Sequence, residues 1–109
     1  MWADKDKATN NGACPLYIAA AKGHLPVVQY LLEFGADVNK AANNGTTPLH
    51  AVAHYGHIEI LSCLMRSGAS LSARDNDGGL PIDMAANDEI KQLIRDEEQR
   101  RRTQVSTER

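Results

Sequence analysis

The stretch Asn43-Asn44-Gly45-Thr46-Thr47-Pro48-Leu49-His50-Ala51-Val52-Ala53-His54-Tyr55-Gly56-His57 decides how this chain folds. Asn44-Gly45 signals a turn, because both residues tolerate the positive φ of a tight hairpin. Thr47 is a good N-cap. Pro48 suits the first helical turn, where its missing N–H has no partner to lose. Leu49, Val52 and Ala53 then share one helical face at three- and four-residue spacing. Gly56 stops that helix. The residues after it predict a second helix from about Ile58 to Arg66, with Ile60, Leu61 and Leu64 facing inward and Gly68 as its cap.

The same phrase stands one step upstream, from Asn10-Asn11-Gly12 through Pro15-Leu16-Tyr17 to Gly23-His24. The step is 33 residues (45 − 12 = 33), and Gly78 and Pro81 repeat it downstream (78 − 45 = 33, 81 − 48 = 33). Leu16, Ala19 and Ala20 are the inward residues expected on the upstream unit's first helix. Val27, Val28, Leu31 and Leu32 are those of its second, with Pro26 in the first turn and Gly35 closing it. A fixed period of this size means one unit stacked on copies of itself. Such units bury apolar faces against neighbours and leave a long surface open to a partner. Ala19, Ala20, Ala53, Ala85 and Ala86 fit first helices that approach closely, where larger side chains cost about 1–3 kcal/mol of strain.

Thr47-Pro48-Leu49-His50-Ala51, Gly56-His57, Gly68-Ala69 and Gly35-Ala36-Asp37-Val38-Asn39 together resemble the ankyrin repeat, a family marked by this period and a Thr-Pro-Leu-His-x-Ala pattern. The resemblance runs from about Trp2 to about Ile94. It implies an all-α solenoid of stacked antiparallel helix pairs with short hairpin loops, two full repeats and a degenerate C-terminal capping repeat. The expected division is 1–9 as the tail of an upstream repeat or an N-terminal extension, 10–42 and 43–75 as repeats, 76–98 as a truncated cap, and 99–109 as a charged, frayed or disordered tail. The first unit departs from the pattern with Cys14 for Thr and Tyr17 for His, which weakens the start of its helix. The third departs more, with Leu80-Pro81-Ile82-Asp83 and no Gly-His after Ala86.

Ile90, Leu93 and Ile94 form an apolar stripe, followed by acid-before-base pairs Asp96–Arg100, Glu97–Arg101 and Glu98–Arg102. Each i, i+4 pair adds about 0.2–0.5 kcal/mol to a helix, so the last helix is expected to continue as a solvated rod. Its register has two readings: four residues lost between the two helices, or Ile90 in the place of the family's His without a gap. At the other end, Trp2 falls opposite Gly35 (35 − 33 = 2), so the chain reads as starting in the tail of an upstream repeat. Its apolar flank then needs a cover, for which Trp2 is one candidate and a longer array another. Residues from Pro81 to the charged helix are also similar to the end of the repeat block in myosin phosphatase targeting subunits, whose phosphatase-docking motif does not occur in this sequence.

A net charge of −2 argues against general affinity for nucleic acid or acidic membranes. Two cysteines cannot build a disulfide scaffold, which points to a reducing compartment, cytoplasmic or nuclear. No apolar run approaches a membrane-spanning length. His50 and His54 stand at i, i+4 with His57 nearby, a spacing that can hold zinc. No Cys, Asp or Glu completes a set, and His50 and His57 occupy family positions that make structural hydrogen bonds, so no metal and no cofactor is expected. Cys14 and Cys63 fall on packed positions, where a thiol is inert. Asn44-Gly45-Thr46 matches a glycosylation acceptor but reads as a hairpin turn. Arg100-Arg101-Arg102-Thr103 resembles a kinase site and reads more simply as a solvated tail. No nucleophile elbow, phosphate-cradling loop or Ser/His/Asp set is present, so an enzyme is not expected.

The resemblance implies a concave face of hairpin tips and first-helix residues. By register it holds Asn10, Asn11, Ala13, Ala21 and Lys22, then Ala41, Asn43, Asn44, Thr46, His54 and Tyr55, then Arg74, Asn76, Asp77 and Gly79, with Asn87 and Asp88 at its edge. The partner-binding candidates are Lys22, Asn43, Asn44, Thr46, His54, Tyr55, Arg74, Asn76 and Asp77. Tyr55 is the natural anchor, since Tyr is enriched at interface hot spots. The expected function is a non-catalytic protein-interaction module, monomeric, with a protein partner and neither nucleic acid nor membrane. The alternative is a structural cap or spacer of a longer array.

Overall fold

The computed structural model describes residues 12–107, and side chains as far as residue 102. The described residues form five α-helices and one 3-10 turn, with no strand. They are α1 (Pro15–Lys22), α2 (Leu25–Glu33), α3 (Pro48–Tyr55), α4 (Ile58–Arg66), the turn Pro81–Met84, and α5 (Asp88–Thr107). Antiparallel pairs α1–α2 and α3–α4 stack so that α1 lies on α3, α3 on the 3-10 turn, and α2 on α4. This is the helix-pair solenoid the period implies. The expectations for residues 1–9, Asn10 and Asn11 lie outside the described residues.

The core is one cluster. Leu16, Ala19 and Ala20 meet Leu49, Val52 and Ala53 between the first helices, backed by Val28, Leu31, Leu61, Leu64, Ile90 and Ile94. Each fully buried Leu or Ile side chain contributes about 1.5–3 kcal/mol relative to exposure. The alanines are there because the first helices lie side by side, leaving no room for longer groups.

Hairpin tips form where Asn43-Asn44 and Asn76-Asp77 predict them. Gly45 N–H donates to Ala42 O and Ala42 N–H to Thr46 O; 33 residues on, Gly78 donates to Asp75 O and Asp75 to Gly79 O. Gly45 is at φ +85°, and a Cβ there would come within 2.7 Å of the Asn76 backbone nitrogen in the next tip. Position 45 therefore needs glycine twice, once for its backbone and once for the neighbour stacked on it. Gly78 keeps the same φ, but nothing lies within 4 Å of its would-be Cβ, because the stack ends there.

The two full units differ at their first helices as Cys14 and Tyr17 foretell. Thr47 Oγ1 accepts from His50 N–H at 3.4 Å, and His50 Nδ1 accepts from Thr47 N–H at 3.1 Å, a reciprocal capping box. Cys14 makes no side-chain cap bond.

The third unit resolves its two register readings by combining them. Its first helix is cut to the turn Pro81–Met84, and α5 starts at Asp88, three residues before the repeat step from Ile58 would place it (58 + 33 = 91). Yet Ile90 reaches within 3.8 Å of the Gly56 Cβ position, just as His57 lies over Gly23. Ile90 thus fills the His place by packing, on a helix that begins early. Asn87 makes that start possible: its Oδ1 accepts from Ile90 N–H at 3.0 Å, with Asp88 and Glu89 favourably placed at the positive helix end.

The expected boundary at 98/99 does not appear in the structure. α5 runs through Thr107, and its packed part extends to Arg101. The Arg101 guanidinium donates to Met65 O and Ala69 O, both at 3.0 Å, while its Nε donates to Glu97 Oε2 at 2.9 Å. Glu97 also pairs with Arg100 and is only 7% exposed. Arg101 therefore ties α5 to the end of α4 and the turn after it, adding a second donor to Met65 O, which also accepts from Gly68 N–H at 3.1 Å. Asp96 accepts from Gln92 at 2.9 Å.

Candidate functional site

Repeats align their first helices and hairpin tips in rows 33 residues apart. Lys22 and Tyr55 occupy one row at the ends of α1 and α3 (22 + 33 = 55), and Ala21 and His54 the next (21 + 33 = 54). The tips form another row, since Asn76 N–H donates to Asn44 O at 2.9 Å and Asn76 Nδ2 donates to Asn43 O at 3.0 Å. These bonds hold adjacent tips edge to edge and set a continuous polar surface beside the first helices.

The structure brings most of the expected residues to this surface, in two kinds. Lys22, Asn43, His54 and Asp77 are exposed, and Tyr55 is 59% exposed. The His54 ring meets the Tyr55 ring edge-on with centroids 4.8 Å apart, and Tyr55 stacks toward His57 at 6.2 Å. This contact steadies Tyr55 without covering it. Asn44, Arg74 and Asn76 are exposed as residues but already employed. Asn44 Oδ1 accepts from Thr46 N–H at 3.1 Å, Arg74 Nη1 donates to Gly78 O at 2.9 Å, and Asn76 joins the tips. Their first duty is to the hairpins.

Thr46 is a correction. It is buried at 7% exposure, not open to a partner. Its Oγ1 donates to Asn44 Oδ1 at 2.6 Å and accepts from the Tyr17 hydroxyl at 2.9 Å. Tyr17 stands where His50 stands in the next unit (17 + 33 = 50), and His50 Nε2 donates to Gly79 O at 2.9 Å, one period beyond Thr46 (46 + 33 = 79). Tyr17 therefore keeps the inter-repeat bond that the His position makes, and it does so by covering Thr46. Asn87 is exposed, and its Oδ1 caps α5.

The histidines are placed by hydrogen bonding. His50 Nδ1 accepts from Thr47 N–H, so Nε2 carries the proton given to Gly79 O. His57 Nε2 donates to Ala21 O at 3.1 Å. Those ring atoms of His50 and His57 are committed to backbone groups, and no group of three or more metal-ligating side chains occurs among the described residues. No described helix is long and apolar enough to cross a membrane.

Sequence reasoning missed the Arg101–Glu97 tie to the end of α4 and the bond from Ser70 N–H to Asn39 Oδ1 at 2.8 Å, which ties one unit's loop to the next. The i, i+4 spacing of Glu97 and Arg101 was visible, but not the helix end beneath it.

A family model described as ankyrin repeats (three copies) matches residues 2–75 and 35–102. The match is to the family at large and does not single out myosin phosphatase targeting subunits. No curated protein matches the chain.

Proposed function

Since the chain belongs to the ankyrin-repeat family, whose members are generally protein-interaction modules and typically non-catalytic, we propose that it binds a protein partner through its tip and first-helix face, as part of a larger scaffold or regulatory protein. The observation that carries this is Tyr55: a large aromatic, 59% exposed, at the end of the central first helix and braced by His54. Aromatic side chains in that setting supply contact area at low entropic cost, and Tyr is enriched among hot spots. Lys22, Asn43 and Asp77 are exposed polar groups of both signs at the first-helix end and the tips, which suits a protein surface better than a nucleic-acid backbone. A cytoplasmic or nuclear setting accords with a chain of only two cysteines, neither in a disulfide.

Calorimetry against a captured partner tests the proposal. Tyr55→Ala should weaken binding by about 1–2 kcal/mol or more, the range of a hot-spot truncation. Its melting temperature should stay near that of the wild type, because the ring is exposed. Unchanged affinity would move the site to α5 or to the second-helix face. Loss of any partner in every variant and in the wild type would favour the cap or spacer reading.

A further inference from the structure

Asn44-Gly45 is the only asparagine followed by glycine among the described residues, and Asn44 is exposed at its hairpin tip. Such a pair has a chemistry of its own. Glycine has no Cβ to crowd its nitrogen, so that nitrogen can reach the preceding side-chain amide. Once a base removes the Gly45 amide proton, the nitrogen bonds to Asn44 Cγ and closes a five-membered succinimide. The Cγ–Nδ2 bond breaks, and Nδ2 leaves as ammonia. Water then opens the ring at one of its two carbonyls, giving aspartate or isoaspartate. Water is the one co-reactant consumed.

The folded tip opposes this step at both reacting groups. Gly45 N–H donates to Ala42 O at 2.9 Å, so its proton is engaged. Asn44 Oδ1 accepts from Thr46 N–H at 3.1 Å and from Thr46 Oγ1 at 2.6 Å, which ties the amide to residue 46. The Thr46 hydroxyl is held in turn by the Tyr17 hydroxyl of the preceding unit, at 2.9 Å. The third tip is built otherwise. Gly79, one period after Thr46, has no hydroxyl, and its N–H donates to Asp75 Oδ1 at 2.7 Å. The hydroxyl chain from Tyr17 to Asn44 is thus a feature of one junction and not of the period.

We propose that Asn44 is a deamidation site latched by the Tyr17 and Thr46 hydroxyls, converting when the junction between the first and second units opens. The two products differ in consequence. Aspartate keeps an oxygen for Thr46, and the third tip already carries Asp77 at this place (44 + 33 = 77). Isoaspartate sends the main chain through Cβ and Cγ and so adds a carbon to the turn. That turn is packed tightly against the next: a Cβ on Gly45 alone would come within 2.7 Å of the Asn76 nitrogen. The Asn44 carbonyl that accepts from Asn76 N–H at 2.9 Å also leaves the main chain and becomes a carboxylate. Conversion to isoaspartate therefore records an opening of the junction and loosens the second tip from the third. The inference does not rest on where a partner binds.

The test is peptide mapping by mass spectrometry of the full chain held at mildly alkaline pH, with and without unfolding urea, which separates Asn44-Gly45 from Asn11-Gly12. In the folded chain Asn44 should convert at least about tenfold more slowly than in urea, since local opening must come first. Tyr17→Phe, checked by circular dichroism to be folded, should convert about three- to tenfold faster than wild type, the factor that one hydrogen bond carries. Thr46→Val, which removes the other hydroxyl, should do the same. Arg101→Ala, which loosens the far end of the stack, should convert at the wild-type rate. The purified isoaspartate form should unfold at lower urea than wild type, and Asn44→Asp should not. No conversion in urea, or equal rates with and without it, overturns the proposal. So does an unchanged rate in folded Tyr17→Phe, or an equal gain in Arg101→Ala, since protection then reflects stability at large. A wild-type urea midpoint for the isoaspartate form overturns the effect on the tips.

Discussion

At the residue scale, the stack depends on a few positions that each answer two demands. Gly45 holds a positive φ and admits the Asn76 backbone; Gly78 meets only the first demand. This separates backbone strain from stacking. Gly78→Ala should cost about 1 kcal/mol, the usual penalty for a side chain at positive φ, whereas Gly45→Ala should cost about 2–4 kcal/mol, since strain and collision with the next tip add. Urea unfolding of the two variants measures the difference. Equal costs would mean the tips do not bear on one another. The period made both glycines legible, and the Asn-Gly pair predicted the turn. The fate of Thr46 was not legible, because its burial depends on a tyrosine 29 residues earlier reaching across the repeat boundary. A residue pattern assigns position 46 to the surface; only the substituted side chain at position 17 removes it.

At the scale of elements, α3 and α4 were the clearest in the sequence, and their observed limits, Pro48–Tyr55 and Ile58–Arg66, are the ones their caps predict. The third unit was less clear because its signals conflict. Asp83 accepts from Leu80 N–H at 2.9 Å, reproducing half of the Thr47–His50 box, but Leu80 offers no oxygen in return. A carboxylate also lacks an N–H such as the Nε2–H with which His50 reaches the following hairpin, so the pattern of bonds stops at this turn. Helix α5 takes over by lying against α4, and Arg101 is its anchor. Arg101→Ala leaves Glu97 with Arg100 alone, removes the side-chain donor to Ala69 O and leaves Met65 O with only the Gly68 N–H. Amide exchange from about residue 98 onward should accelerate while α1 to α3 stay unchanged. Protection of the α5 end equal to wild type would show that Arg101 is incidental to its docking.

At the scale of the molecule, stability is distributed by neighbours. The central unit leans on both sides through the tip bonds, the His50 and His57 bonds and the shared core, while the first unit leans on one. Hydrogen exchange should therefore protect Leu49 to Leu64 best, with the terminal units opening first. Greater protection in α1 and α2 would mean that their flank is already covered in solution. The same architecture holds Lys22, His54, Tyr55 and the tips on rigid elements, which is what a binding surface requires. Backbone chemical-shift mapping during titration with a captured partner tests that claim most directly. Shifts should cluster at Lys22, Asn43, His54, Tyr55 and Asp77, fading along α2 and α4. Shifts confined to α5, or to Tyr30 and Phe34, with the tips unmoved, would contradict it.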